Sequence, residues 1–298
     1  MQGNIYTHQS SNVLKTYLLM GVFLAFIVFI GFFISEAYGA PEILYIAIIL
    51  SVVMNIGSYW FSDKIALAVS GAHEAKKDVY YDLYTVTENL SIAAGLPMPK
   101  LYVIDEQVPN AFATGRDKNH AAIAVTTGLL NTLERRELEG VIAHELSHIG
   151  NRDILLMSVV VVLVGLLSIV SDMVLRSMWF GKRDNNDRGG IGGIVAILGI
   201  VAIILSPLIA SLIKLAISRR REYLADASGA LLTRFPEGLA SALEKISSYP
   251  GSVRRATTAT AHMYISNPFG KGAGQAFANL FATHPPAAER IRRLREMS

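Results

Sequence analysis

Five consecutive residues, His144-Glu145-Leu146-Ser147-His148, carry the strongest chemical signal in the chain. They lie in Thr132–Gly150, a segment with few β-branched residues and no proline, which predicts a helix. Histidines four apart stand one above the other on a single helical face. Two imidazole nitrogens can then share one Zn²⁺, with Glu145 beside them as a general base. On a helical projection Leu138, Ile142, Leu146 and Ile149 share one arc, His144 and His148 occupy the neighbouring arc, and Glu145 sits at the border. Histidines bordering an apolar face suit a metal site walled by protein. The longer pattern with a third histidine fails, because Ile154 stands at that position.

A hydrolytic zinc site needs a third protein ligand and one open position. Arg221-Glu222-Tyr223-Leu224-Ala225-Asp226-Ala227 puts two carboxylates four apart, again on one helical face. The run Ala225, Ala227, Ser228, Gly229, Ala230 removes side-chain bulk and lets this helix approach another closely. Glu222 is then the candidate ligand, and Asp226 the acceptor for a histidine N–H. The competing reading is a solvated carboxylate pair that balances Arg219, Arg220 and Arg221. With no cysteine in the chain, histidine and carboxylate must do all the metal binding.

The elements that hold these residues are set by an apolar excess. The chain is 52% hydrophobic and only 17% charged, which points away from an ordinary soluble domain. Four runs carry the excess: Thr16–Ile34, Glu42–Phe61, Ile154–Phe180 and Ile191–Ile217. Each is long enough to cross a bilayer, although the third contains Asp172 and Arg176. For the last two, the alternative is a hydrophobic hairpin packed on the polar domain. The first run has a longer apolar core than a signal peptide and a leader with only Lys15, so it reads as a retained span. His148 and Glu222 can hold one ion only if the number of spans between them is even. The Ser35–Pro41 link has no Lys or Arg, while the segment after the second span carries Lys64, Lys76, Lys77 and Lys100. The positive-inside rule therefore puts the candidate site in the cytoplasm, with Lys182, Arg183 and Arg188 in the third loop arguing weakly the other way, diluted by Asp184 and Asp187. The net charge of +3 comes with no aromatic-interleaved basic patch, so nucleic acid is not an expected partner.

The expected architecture is a mainly α membrane protein with four transmembrane helices and a zincin-like α+β metalloprotease domain. Its parts are an N-terminal transmembrane hairpin over 1–62, a first domain segment over 63–153, a second hairpin over 154–217 and a second domain segment over 218–298. Tyr80–Ala94 reads as a helix stopped by Gly95-Leu96-Pro97. Leu101–Ile104 and Ala121–Val125 read as strands, with an extended Pro109–Gly115 between them. A helix is expected near Pro236–Ser248, then a Gly/Ser/Asn-rich stretch Tyr249–Gly274. A last helix should start near Pro285, with Thr283 as its N-cap.

Together the segments Asn110–Gly115, Thr126–Leu130, Val141–Ile149 with Asn151-Arg152-Asp153, Arg221–Asp226 and Thr283–Pro286 resemble, in order, the membrane zinc metalloproteases of the HtpX type, relatives of the CaaX prenyl endopeptidases. The resemblance implies one Zn²⁺ per chain on His144, His148 and Glu222, and endoproteolysis of misfolded or damaged membrane proteins. It also implies a multi-pass location in a bacterial inner membrane, with the site facing the cytoplasm. A substrate role follows for Asn110, Ala111, Phe112 and Ala113, and transition-state or substrate contacts for His284 and Arg290. From the residues themselves, Glu145 takes the proton of a zinc-activated water and passes it to the leaving amine. His284 or Arg290 would supply the donor that the oxyanion needs, while a helix-start histidine explains His284 equally well. An extended substrate would pair with the edge at Asn110–Ala113. The alternative function is a non-enzymatic membrane protein whose zinc only staples two helices, and it leaves Glu145 without a role.

Overall fold

The computed structural model describes residues 5–180, 219–257, 259–269 and 285–297. Two long helices, α1 (Ile5–Tyr38) and α2 (Glu42–Ser70), form a hairpin turned at Gly39, whose φ of 61° suits a residue without Cβ. Ser10–Glu36 and Glu42–Ser70 are each apolar enough to cross a membrane. Leu18, Phe29, Phe33, Ile46, Ile49 and Val53 point outward and stay exposed, as side chains that face lipid do. Gly31 lies directly against Ala47, so the two backbones approach closely.

The polar domain begins with a short strand β1 (His73–Glu74) and helix α3 (Tyr81–Ala94), which Gly95 caps at φ 65°. Strands β2 (Lys100–Ile104), β3 (Ala111–Gly115) and β4 (Ala121–Thr126) complete a four-stranded sheet of order β1-β2-β4-β3. β2 and β4 run parallel with Leu101 opposite Ile123; β3 runs antiparallel to β4 with Ala111 opposite Val125. Thr126 caps the short helix α4 (Thr127–Thr132) by accepting from the Leu129 N–H.

Helix α5 (Arg135–Gly150) starts one turn later than the expected Thr132, because Glu134 and Glu137 form a capping box there. Glu137 also accepts from Ser241 at 2.6 Å and Lys245 at 2.8 Å, which ties α5 to the later helix α8 (Pro236–Ser248). The expected apolar arc of Leu138, Ile142, Leu146 and Ile149 is buried in the main core, against α3 and the sheet. After α5 the chain bends by 84° and enters α6 (Asp153–Phe180). Arg152, at φ 58°, makes that bend in a conformation that costs a non-glycine residue about 1 kcal/mol.

The expectation of four spans is met only in part. Two described helices are long and apolar enough to cross a membrane, and a third only if the bent pair α5–α6 counts as one span. The run Ile154–Phe180 is helical, but Ile154–Val164 is buried by α1, α2 and the sheet rather than facing outward. Ser158 on this helix bonds Thr114 at 2.8 Å and the Gly115 N–H at 3.1 Å. The fourth run, Ile191–Ile217, lies outside the described residues.

Helix α7 (Arg219–Thr233) packs along α5, and α8 begins at Pro236 as expected. The Gly/Ser/Asn-rich stretch is not all surface loop. Met263, Tyr264 and Ile265 are buried, and Ile265 N donates to Ala111 O at 2.9 Å. The last helix, α9 (Ala287–Arg295), has Pro286 at its N-cap position and so starts two residues after the expected Pro285, while Thr283, the expected N-cap, lies outside the described residues.

Candidate metal centre

α5 and α7 cross with almost nothing between them. A Cβ on Gly229 would stand 3.0 Å from the His144 backbone N and 3.2 Å from the Ala143 carbonyl carbon. That contact brings the carboxylates of α7 to the histidines of α5. His144 Nε2 and His148 Nε2 are 3.1 Å apart, with the rings edge to face. Glu222 closes the group, with Oε2 at 3.9 Å from His144 Nε2 and Oε1 at 3.5 Å from His148 Nε2. One ligand atom from each residue lies within 4.8 Å of the others, and all three residues are buried. Ligand atoms held at about 2.0–2.1 Å from one Zn²⁺ in a tetrahedron would be spaced much like these.

The far side of each ring fixes which nitrogen faces the centre. His148 Nδ1 donates to Asp153 Oδ2 at 2.9 Å. His144 Nδ1 lies 3.0 Å from Asp226 Oδ1, a ring-to-carboxylate pair. With a carboxylate at each Nδ1, both Nε2 lone pairs turn toward the shared point, which is how metal-binding histidines are held. The residues fit a metal.

Arg290, 1% exposed, reaches in from α9. Its Nε donates to Asp226 Oδ2 at 2.9 Å and its Nη2 to Asp226 Oδ1 at 2.7 Å, a two-pronged pair. Nη1 donates to Ile265 O at 2.8 Å and lies 3.6 Å from Glu222 Oε2. Nη2 is also 3.5 Å from His144 Nε2. The guanidinium therefore borders the centre while most of its donors hold Asp226 and Ile265.

Electrostatics separate the carboxylates. Burial opposes ionisation of Asp226, but the adjacent Arg290 and His144 outweigh it and hold the carboxyl at about 2. Glu145 has no such pair: burial pushes its carboxyl up to about 7, with His148 drawing it down and Glu222 pushing it up. A carboxyl balanced near neutrality is what proton transfer at neutral pH requires. The Ala113 N–H donates to it from the sheet edge. Burial pulls His144 down to about 4. It acts on His148 too, but Asp153 and Glu222 together hold that ring up at about 9.

The sequence-predicted residues meet unevenly. His144, Glu145, His148, Glu222, Asp226 and Arg290 converge. His284 lies outside the described residues. Asn110, Ala111, Phe112 and Ala113 lie at the sheet edge and are buried. The Asn110 side chain accepts from Ala111 N at 3.1 Å and donates to Ser266 O at 3.0 Å. With Ile265 on Ala111 O, residues 265–266 already lie along this edge. Asp153 was visible in sequence only as a matching residue, without a role. It heads a new helix five positions past His148, and only the bend at Arg152 returns it to the imidazole.

A buried glutamate poised for proton transfer beside a metal-binding pair belongs to a metal-dependent hydrolase. The comparisons narrow that class. The model of Peptidase family M48 matches residues 80–298, and the chain belongs to that family. It is 50% identical over 301 residues to a Protease HtpX homolog of Thermoanaerobacter pseudethanolicus, covering 99% of this chain and 98% of the relative. A Protease HtpX homolog of Pyrococcus abyssi is 46% identical over 288 residues, covering 96% of each chain. In fold the chain is similar to the crystal structure of S. mikatae Ste24p, with a TM-score of 0.50 and 19% identity over 97% of this chain and 67% of that one. The protein is thus a membrane metalloprotease, and the helix-stapling alternative falls.

Proposed function

We propose that the protein is a zinc endopeptidase of a bacterial inner membrane, with one Zn²⁺ per chain on His144, His148 and Glu222, facing the cytoplasm. The observation that carries the reading is the convergence of two Nε2 atoms and a Glu222 oxygen beside the buried, near-neutral Glu145. When bound, Zn²⁺ supplies Lewis acidity and lowers the pKa of water toward neutrality. Glu145, held by the Ala113 N–H, receives the proton of the attacking water and hands it to the departing amine. Asp226 orients His144, and Arg290 fixes Asp226 while presenting N–H groups to the centre. The oxyanion donor is His284 or Arg290, and the Arg290 Nη2 that borders the centre 3.5 Å from His144 Nε2 supports the second.

Substrates are misfolded or damaged membrane proteins presented as extended chain. They would pair along Asn110–Ala113 after residues 265–266 give way. The membrane hairpin supports such a substrate class, and the lysines that follow α2 support the cytoplasmic orientation. The deciding experiment combines metal analysis of the purified chain with a casein digest for wild type and Glu145→Gln. About one zinc per chain in both, with proteolysis lost only in the variant, is the expected result. Equal proteolysis by both would overturn the role of Glu145.

A further inference from the structure

An asparagine in a membrane helix is costly unless its amide is fully bonded. Asn12 lies near the start of the Ser10–Glu36 span, 4% exposed, and its side chain faces the catalytic domain rather than the other helix of the hairpin. Nδ2 donates to Asp153 Oδ1 at 2.6 Å and to the Asn151 carbonyl at 3.2 Å. Oδ1 accepts from Arg221 Nη1 at 3.4 Å. One side chain of the first membrane helix thereby bonds the α5–α6 turn, the carboxylate behind His148 and the residue before Glu222.

The division of labour on Asp153 gives these bonds their meaning. A carboxylate that orients a histidine through one oxygen can still swing about its own bond unless the other oxygen is held. Asp153 Oδ2 takes the His148 N–H, and Oδ1 takes the short bond from Asn12, with Arg221 Nε further off at 3.6 Å. The second Asn12 bond fixes the turn where Arg152 holds its left-handed conformation, and that turn sets where Asp153 begins α6. From this geometry we infer that Asn12 is a positioning residue of the metal centre, acting through Asp153 to aim His148 Nε2. The first membrane helix is then part of the metal site as well as an anchor. The inference rests on the zinc reading above.

The test uses the full chain in detergent micelles. Zn²⁺ affinity is measured by competition with a chromophoric chelator, and the site geometry by the absorption bands of Co²⁺ in place of zinc. Asn12→Leu keeps the volume and removes the amide. It should weaken Zn²⁺ binding about tenfold, the lower end for loss of an outer partner, and shift the Co²⁺ bands. In an Asp153→Asn background the same change should add less than about a twofold loss, since both act on one route. Asn12→Ser, too short to reach Asp153, should give the same losses and serves if the leucine variant does not fold. Unchanged Zn²⁺ affinity and Co²⁺ bands with only a lower melting temperature would make Asn12 a plain anchor and overturn the inference. So would a full tenfold loss that persists in the Asp153→Asn background. A wild-type chain that binds no Zn²⁺ would overturn the zinc reading and this inference together.

Discussion

Gly229 offers the sharpest test of how the centre is assembled, because adding one methyl group there should separate metal binding from folding. A Cβ at this position meets the His144 N at 3.0 Å and the His144 Cα at 3.3 Å, both on rigid helical backbone. Comfortable contact lies at about 3.5–4.0 Å, so α7 must recede from α5 by roughly half an ångström. For stability, the overpacking cost of about 1–3 kcal/mol is offset by about 1 kcal/mol of helix propensity gained over glycine. Gly229→Ala should therefore fold with a loss of at most about 2 kcal/mol. The centre has less tolerance, since such sites need their groups within about 0.5 Å of the working geometry. Glu222 and Asp226 ride on the helix that moves, so Zn²⁺ affinity should fall about 10–100-fold, the range for a disturbed supporting partner. Gly229→Val should also lose stability beyond the alanine variant. Gly165 is the control: a Cβ there meets nothing within 4 Å, and Gly165→Ala should leave zinc binding unchanged. Chelator competition and urea unfolding on the full chain read the two quantities separately. Wild-type zinc affinity in both Gly229 variants would refute the claim that this contact sets the distance between the ligands.

His144→Ala, His148→Ala and Glu222→Ala should each abolish stoichiometric zinc by metal analysis, whereas Asp226→Asn should weaken it about 10–100-fold as a change behind a ligand. Arg290→Gln leaves the buried Asp226 carboxylate without its partner, and should cost about 3–5 kcal/mol in urea unfolding as well as activity. For pH, Asp226 has a folded value of about 2 against an ordinary 3.8, so its contribution of about 2 kcal/mol is complete above pH ~4 and is lost as pH falls toward 2. Unfolding curves of wild type and Asp226→Asn between pH 5 and 2 should converge in that window. Reporter fusions at Tyr38 should report the extracytoplasmic side and fusions at Lys118 the cytoplasmic side.

Much of the site was legible because helical periodicity is a local rule. The histidine face, the apolar arc beside it and the run of small residues around Gly229 all follow from spacing, and α8 matches its predicted bounds. What stayed hidden depends on chain direction and distant partners. Nothing in the order of residues says that the chain turns back at Arg152, so Asp153 could not be assigned to His148, nor Asn12 to Asp153. Arg290 was readable as a cation near the site, but its grip on Asp226 needs the approach of α9. Hydropathy also cannot tell burial in lipid from burial in protein. Ile154–Phe180 reads as a span, and the first part of it, Ile154–Val164, is covered by α1, α2 and the sheet.

The ring of buried ionisable groups around the histidines has a consequence for charge balance. Glu145, Asp153, Glu222 and Asp226 are four carboxylates at 1–5% exposure, and among the described residues the guanidiniums of Arg221 and Arg290 are the buried cations beside them. With the imidazoles neutral, these groups sum to two negative charges when Glu145 is ionised and to one when it holds a proton, and one divalent cation offsets either. Protons compete for the same deficit, and His148, held up at about 9, is where the carboxylates keep one. Loading the ion should therefore expel protons, and the apparent affinity should climb as pH rises through neutrality toward that value. Acidification around the site would loosen the metal before it loosened the fold.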